Sequence, residues 1–232
     1  HDLLPTIRSR CRHIQLHTPS DEDVAQVLIN RDGISETMAT FAARVSQGHI
    51  GRARYIATNE GARSNRATIM KLPLQLNSLA AAFKAAQTLV DLATTQANQA
   101  SEVRDEKEIA SLQEAYGKGA TGRAMASGAA KAVKELEKEQ KSRATRMVRD
   151  SIDGALLDIA TFYRDVMMVQ AGNNEAIINT DMQEAIFAYA SSHPHHTTIN
   201  KMNAIMQART NLAHNAAPLL TCEALMCQLA KA

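Results

Sequence analysis

The sequence predicts a mainly all-α protein, and three observations support this fold class. Aromatic residues make up 3% of the 232 residues and tryptophan is absent, whereas there are ten methionines. This balance favours helices packed through small and flexible apolar side chains. Glycine and proline are few, and apolar residues recur at spacings of three and four over two long stretches. That spacing is typical of helices that bury one face.

Residues 1–17 are interpreted as the C-terminal end of a preceding α/β domain. Pro5 favours the first turn of a helix, because its missing N–H would have no partner there. From 13 to 16 polar and apolar residues alternate, which predicts a short strand. Arg10 would then lie at a helix-to-strand junction and face outward, with Cys11 as a small buried anchor. Because the sequence begins directly before this segment and without methionine, we expect the chain to be a fragment of a longer protein.

Residues 18–72 predict a unit of short helices. Ser20 is a good N-cap, and Asp23 three residues later completes an approximate capping box. A second helix is expected to begin near Ser35 and a third near Gly51, each after a turn. Three helices this close in sequence can form a compact unit that caps a nucleotide site.

Residues 73–232 predict a larger helical domain built on a long antiparallel hairpin. Two long helices are separated by a glycine-rich loop, and three shorter helices follow. The part from about 98 to 143 has few large apolar residues and is expected to project from the body. The first long helix is predicted to bury one face, made of Leu79, Phe83, Ala86, Val90, Ala93 and Ala97.

Charge separates along this hairpin. Residues 101–116 hold five acids and two bases, whereas residues 117–149 hold nine bases and three acids. The net charge of the whole chain is only +2, which implies no obligatory nucleic-acid partner. Two interpretations are open: the two arms hold each other by complementary charge, or the basic excess on the second arm faces a partner.

The remaining patterns indicate no catalytic or metal site. The three cysteines are far apart, which favours reduced thiols in a cytoplasmic protein. His193, His195 and His196 surround a proline at a spacing that suits no common metal site. Residues 117–124 mimic a phosphate-binding loop, but arginine and alanine stand where that loop needs lysine and serine or threonine. No stretch predicts a signal peptide or a bilayer span, so no membrane partner is expected.

Three stretches resemble the bacterial clamp-loader family of AAA+ proteins, and within it the delta-prime subunits. The first matches the family's serine-arginine-cysteine motif and reads Thr6-Ile7-x-Ser9-Arg10-Cys11-x-x-Ile14. The second is short and is similar to the family's lid arginine site; it reads Gly48-His49-Ile50-Gly51-Arg52-Ala53. The third, Asn215 to Met226, is similar to the last helix of the family's collar, with an asparagine-to-proline entry and a Glu-Ala-Leu core.

The resemblance implies three domains. Residues 1–17 would be the remnant of the AAA+ core, 18–72 the helical lid, and 73–232 the oligomerisation collar. The extended hairpin at about 98–143 departs from the short collar helices of the family.

The resemblance also implies roles for individual residues. Arg10, with Ser9 and Cys11 as motif neighbours, would be a trans arginine finger that completes the ATP site of the adjacent subunit. Arginine suits this role because it stays charged and offers a planar fork that matches phosphate oxygens. Arg52 would be the lid arginine, although a glycine cap followed by an exposed arginine explains the same residues. No cofactor is expected in this chain, since ATP and magnesium would be held by the neighbour.

The function implied is that of a stator subunit in a hetero-pentameric loader, whose partners are the motor and delta subunits. Through that assembly it would act on the sliding clamp and primed DNA, and it would have no ATPase activity alone. One alternative is a motor subunit of the same loader, with its phosphate loop in the missing N-terminal part. Another is a helical scaffold or nucleic-acid-binding protein that uses the basic arm 131–149.

Overall fold

A computed structural model of the chain describes residues 4–12, 14, 17–117 and 123–231. Within these ranges every regular element is a helix, which confirms the mainly all-α fold class. The strand predicted over 13–16 lies largely outside the described residues, as does the glycine-rich loop at 118–122.

The chain divides into two compact units, residues 1–60 and residues 61–232. The sequence-based boundary lay instead at 72/73, because the helix over 60–71 carries no obvious break before Pro73. In the structure Ile69 and Met70 of that helix belong to the apolar core of the second unit. The assignment of the units as lid and collar stays a prediction.

In its described residues the first unit contains four helices. They are α1 (Pro5–Arg8), α2 (Asp21–Asp32), α3 (Glu36–Ser46) and α4 (Ile50–Thr58). The predicted capping box is confirmed, because the Ser20 hydroxyl accepts from the Asp23 N–H at 3.1 Å and the Asp23 carboxylate accepts from the Ser20 N–H. The core between α2, α3 and α4 is built from alanines and branched aliphatic residues; it includes Val24, Leu28, Ala39, Ala42, Ala43, Val45, Ala53 and Ile56.

The second unit contains six α-helices in its described residues. They are α5 (Glu60–Lys71), α6 (Leu79–Gly117), α7 (Arg123–Gln170), α8 (Gln183–Ser192), α9 (His195–Ala213) and α10 (Pro218–Ala230). Three 3₁₀ turns lie between them, at Leu72–Gln75, Asn174–Ala176 and Thr180–Met182. The predicted long hairpin is confirmed, since α6 and α7 pack along each other. At 1.5 Å per residue, α6 and α7 are roughly 58 and 72 Å long.

The buried face of α6 agrees with the predicted one in part, because Ala86, Ala93 and Ala97 are buried as predicted. Leu79 and Phe83 are 59% and 49% exposed, whereas Ala82, Ala85 and Leu89 are buried. The reason is that α6 packs against both α7 and α10. The positions of these two neighbouring helices determine which side chains of α6 are buried. The size of the side chains does not.

A buried polar cluster joins α5 and α7 to the segment before α8. Arg66 forms an ion pair with Asp158 at 3.0 Å and a hydrogen bond to the side chain of Asn179. Asp165, which is fully buried, accepts hydrogen bonds from the backbone N–H groups of Ile178 and Asn179. Buried charges are tolerated when they are paired and hydrogen-bonded in this way, so the cluster fixes the path of the chain into α8.

Candidate functional site

Arg10 lies in the turn that follows α1, on the surface of the first unit. Its backbone N–H donates to Ile7 O at 3.1 Å, and the Ser9 hydroxyl donates to Thr6 O at 3.1 Å. These bonds hold the turn, while the side chains of Ser9 and Arg10 are exposed. A guanidinium in this position can contact a group held by another molecule.

The prediction that Cys11 is buried is wrong, because its thiol is exposed. Leu4 and Ile7 of the same segment are also exposed. A helix of four residues is too short to cover its own apolar side chains, and the described part of the first unit does not cover them. The segment therefore presents both its arginine and its apolar residues at the surface.

Arg52 lies in the first turn of α4, and its side chain is half-buried. Its backbone N–H donates to Nδ1 of His49, the N-cap residue, at 3.1 Å. The preceding turn is fixed by Gly48, which has φ of +81°. A Cβ added there would lie 2.3 Å from Cγ2 of Thr18, so only glycine fits. Arg10 and Arg52 both belong to the first unit. Arg10 lies in the turn after α1, and Arg52 lies in the first turn of α4.

The two hairpin arms are linked by charged contacts around Arg143. Arg143 of α7 contacts Oδ1 of Asp105 at 2.6 Å and Oε2 of Glu108 at 2.5 Å. The Gln140 side chain donates to the Asp105 carbonyl oxygen at 3.1 Å. The hydrogen bonds from Arg143 and then from Arg104 lower the pKa of Glu108 from 4.5 to about 2. The contacts of Arg143 therefore agree with the first of the two interpretations, in which the arms hold each other by complementary charge.

Four lysines of the second arm lie outside this cluster of charged contacts. Lys131, Lys134, Lys138 and Lys141 are all exposed on α7. We call these four residues the lysine stripe.

Further along α7, two arginines and one from α9 line a cleft of about 620 Å³. We call it the arginine cleft, and it is lined among others by Arg146, Arg149, Asp150, Asp153, Arg209 and Asn215. The Arg209 guanidinium is held by two bonds to the Asp153 carboxylate, at 2.7 and 2.9 Å. These bonds raise the pKa of Arg209 above its ordinary value. Sequence reasoning included Arg149 in the basic arm but missed Arg209 and Asn215, because no local pattern links residues so far apart.

The side chains of His193, His195 and Cys222 contact neighbouring residues within the second unit. The His193 ring stacks on Tyr189 with centroids 3.8 Å apart, and His195 Nδ1 lies 3.2 Å from the Gln170 side-chain oxygen. Burial raises the pKa of the Cys222 thiol to about 12, so this thiol is not a nucleophile at neutral pH. Among the described residues, no group of three or more His, Cys, Asp or Glu side chains could hold a metal ion.

Within the ranges that the structure describes, none of the helices has the length and apolarity needed to cross a bilayer. No protein-family model matches the sequence, and no curated protein matches it significantly.

Proposed function

We propose that the chain is a delta-prime-like stator subunit of a bacterial DNA polymerase III clamp loader. The observation that carries this proposal is the exposed Arg10 in the Ser9-Arg10-Cys11 string, which resembles the family's arginine-finger motif. The short helices that follow Arg10 in the first unit, and the larger helical second unit after them, agree in order with a lid and a collar. The proposal includes a cytoplasmic location.

In the proposed mechanism, Arg10 reaches into the ATP site of the adjacent motor subunit. Its planar guanidinium donates to the oxygens of the γ-phosphate, where negative charge develops during phosphoryl transfer. Such a group acting in trans is worth roughly three to five powers of ten in rate. ATP and magnesium belong to the neighbour's site, and Arg52 would contact a nucleotide of its own subunit. The second unit would join the motor and delta subunits in the ring that opens the sliding clamp on primed DNA.

The experiment is a reconstituted loader that contains Arg10→Ala. We expect the subunit to fold and assemble, while the ATP site next to it loses most of its DNA-stimulated hydrolysis. Arg10→Lys should restore little, because an ammonium group lacks the planar fork. The readouts are DNA-stimulated phosphate release and assembly by size-exclusion chromatography.

Arg12→Ala is the matched control, since Arg12 is an exposed arginine two residues away. It should hydrolyse ATP at the rate of the unmodified loader. Normal hydrolysis by the Arg10→Ala loader would remove Arg10 from the mechanism, and an equal loss in both variants would show a general charge effect.

A further inference from the structure

We propose that the arginine cleft and the lysine stripe together bind the phosphate backbone of duplex nucleic acid. The surface lies entirely within the second unit and does not depend on Arg10 or on the proposed stator role. In this proposal, the basic residues of α7 that do not contact α6 bind a partner.

The cleft holds one positive charge that no carboxylate neutralises among the described residues. Nη1 of Arg149 donates to Oδ1 of Asn215 at 2.6 Å, and an amide oxygen carries no net charge. Nε of Arg149 is buried and has no hydrogen bond within the described part of the chain. Buried donors of this kind are uncommon and call for an explanation. A phosphate group in the cleft could supply the missing negative charge.

The walls of the cleft keep Arg149 in place. Asn215, its hydrogen-bond partner, has φ of +65° in the turn between α9 and α10. Arg209 is fixed by its two bonds to Asp153, while Arg146 on the preceding turn of α7 is exposed. Fixed donors lose less side-chain entropy when an anion binds. The cleft is therefore a preformed site for a single phosphate group.

The carboxylates in the cleft limit which anion fits. Asp150 and Asp153 line it beside the three arginines, so the net formal charge of these five groups is +1. A compact anion with several charges would place its second and third charges near these aspartates. A chain of singly charged phosphates places one charge in the cleft and the others outside, so we favour a nucleic-acid backbone.

The lysine stripe continues the site along α7. At about 100° per residue, Lys131, Lys134, Lys138, Lys141 and Arg149 fall within an arc of about 80° on the helix. This arc lies on the opposite side of α7 from Gln140 and Arg143, which contact α6. From Lys131 to Arg149 the stripe is roughly 27 Å long, the length of about eight base pairs.

The surface suits duplex better than single strands. No aromatic residue occurs between Tyr116 and Phe162, so the part of α7 that carries this surface offers no ring for stacking with unpaired bases. Exposed Glu135, Glu137 and Glu139 lie beside the stripe and weaken its field. Binding should consequently be modest, sensitive to salt and indifferent to base sequence.

The test is fluorescence anisotropy of the full 232-residue chain with a labelled DNA duplex of about 20 base pairs, at several salt concentrations. The unmodified protein should bind at low salt. The logarithm of its binding constant should fall linearly with the logarithm of the salt concentration. Arg146→Ala/Arg149→Ala should weaken binding about tenfold and reduce the salt slope by about two. Lys134→Ala/Lys138→Ala should weaken it about fivefold with a similar loss of slope.

Lys71→Ala/Lys84→Ala is the matched control, because it removes two exposed lysines from α5 and α6 and should bind within about twofold of the unmodified chain. Circular dichroism checks that each variant is folded. Arg149→Lys keeps the positive charge but removes the planar guanidinium, so it tests whether the guanidinium geometry contributes to binding. Three results would overturn the proposal: no duplex binding at low salt, an equal loss in the control, or equally tight binding of polyglutamate. Binding of pyrophosphate in the cleft without duplex binding would also overturn it. None of these results bears on ATP hydrolysis through Arg10.

Discussion

The two halves of the α6–α7 hairpin are built from the same pair of helices but are held together differently. The proximal half comprises 79–97 of α6 and 150–170 of α7. The distal half comprises 98–117 and 123–149. In the proximal half Leu89, Ile152 and Leu156 are fully buried in the core that also includes residues of α8, α9 and α10.

Apart from Val148 and Arg149 at its base, the described residues of the distal half lie outside the apolar core and its contacts with the turn before α10. Its clearest links are the contacts of Arg143 and Gln140 with Asp105 and Glu108. A largely apolar groove of about 810 Å³ runs along it between residues such as Leu112 and Leu136. The packing of α6 on α7 there leaves part of their apolar surface open.

In this hairpin, therefore, two helices alone do not enclose all of their apolar side chains. An amphipathic helix needs neighbours on the whole of its apolar stripe, and α8, α9 and α10 supply them only in the proximal half. Apolar burial therefore stabilises the proximal half. Partly exposed ion pairs hold the distal half and respond to pH and salt.

The largest expected effect comes from comparing two leucines on α7. Leu156→Ala should lower the free energy of unfolding by about 2–5 kcal/mol, because it leaves a cavity in a closed core. Leu136→Ala should cost less than about 1 kcal/mol, since this side chain is only half-buried beside an open groove. Urea denaturation followed by circular dichroism measures both. Equal losses would show that the halves are packed alike.

A smaller effect is expected from Arg143→Met, which removes both ion contacts and keeps the length of the side chain. Amides of the distal half should exchange with solvent severalfold faster, while the global unfolding midpoint stays the same. Hydrogen exchange read by mass spectrometry separates the halves. Arg146→Met is the control, because Arg146 is exposed on the next turn. A shift of the global midpoint would mean that the distal half is part of the main cooperative unit.

The smallest effect should appear on acidification. The pKa of Glu108 falls from 4.5 to about 2 on folding, chiefly through its hydrogen bond with Arg143. A carboxylate with a lowered pKa stabilises the folded state above 4.5, and this stabilisation is lost as the pH falls through about 2. The distal half should lose exchange protection over that window, after correction for intrinsic rates.

Glu108→Gln should lower the exchange protection of the distal half at neutral pH. It should also reduce the change in this protection with pH. Glu135→Gln, at an exposed position on the other arm, should leave the dependence unchanged. Protection in the distal half that does not vary with pH would contradict a stabilising role for this carboxylate.

Most of the helices could be predicted from local signals. Ser20 and Asp23 form the capping box that begins α2, and Gly33 ends that helix with φ of +66°. Pro218 begins α10 at its first position. Such signals work because a cap or a turn is satisfied by residues within a few positions of one another.

The candidate sites were predictable only in part. The Ser9-Arg10-Cys11 string pointed to Arg10, whereas the exposure of Cys11 depended on whether the rest of its unit covers it. The arginine cleft left no sequence signal, because Arg149 and Asn215 are 66 positions apart.

The sequence by itself determined that this chain is helical, that two long helices form a hairpin, and that its arms carry opposite charge. Periodicity, caps and charge are properties of neighbouring residues, so they can be read along the chain. The tertiary structure decided that α6 buries Leu89 and exposes Phe83, and that Arg143 is paired while the lysine stripe is exposed. Those outcomes depend on which helices, distant in the sequence, pack against each face of α6 and α7. Only the packing of the folded chain determines this.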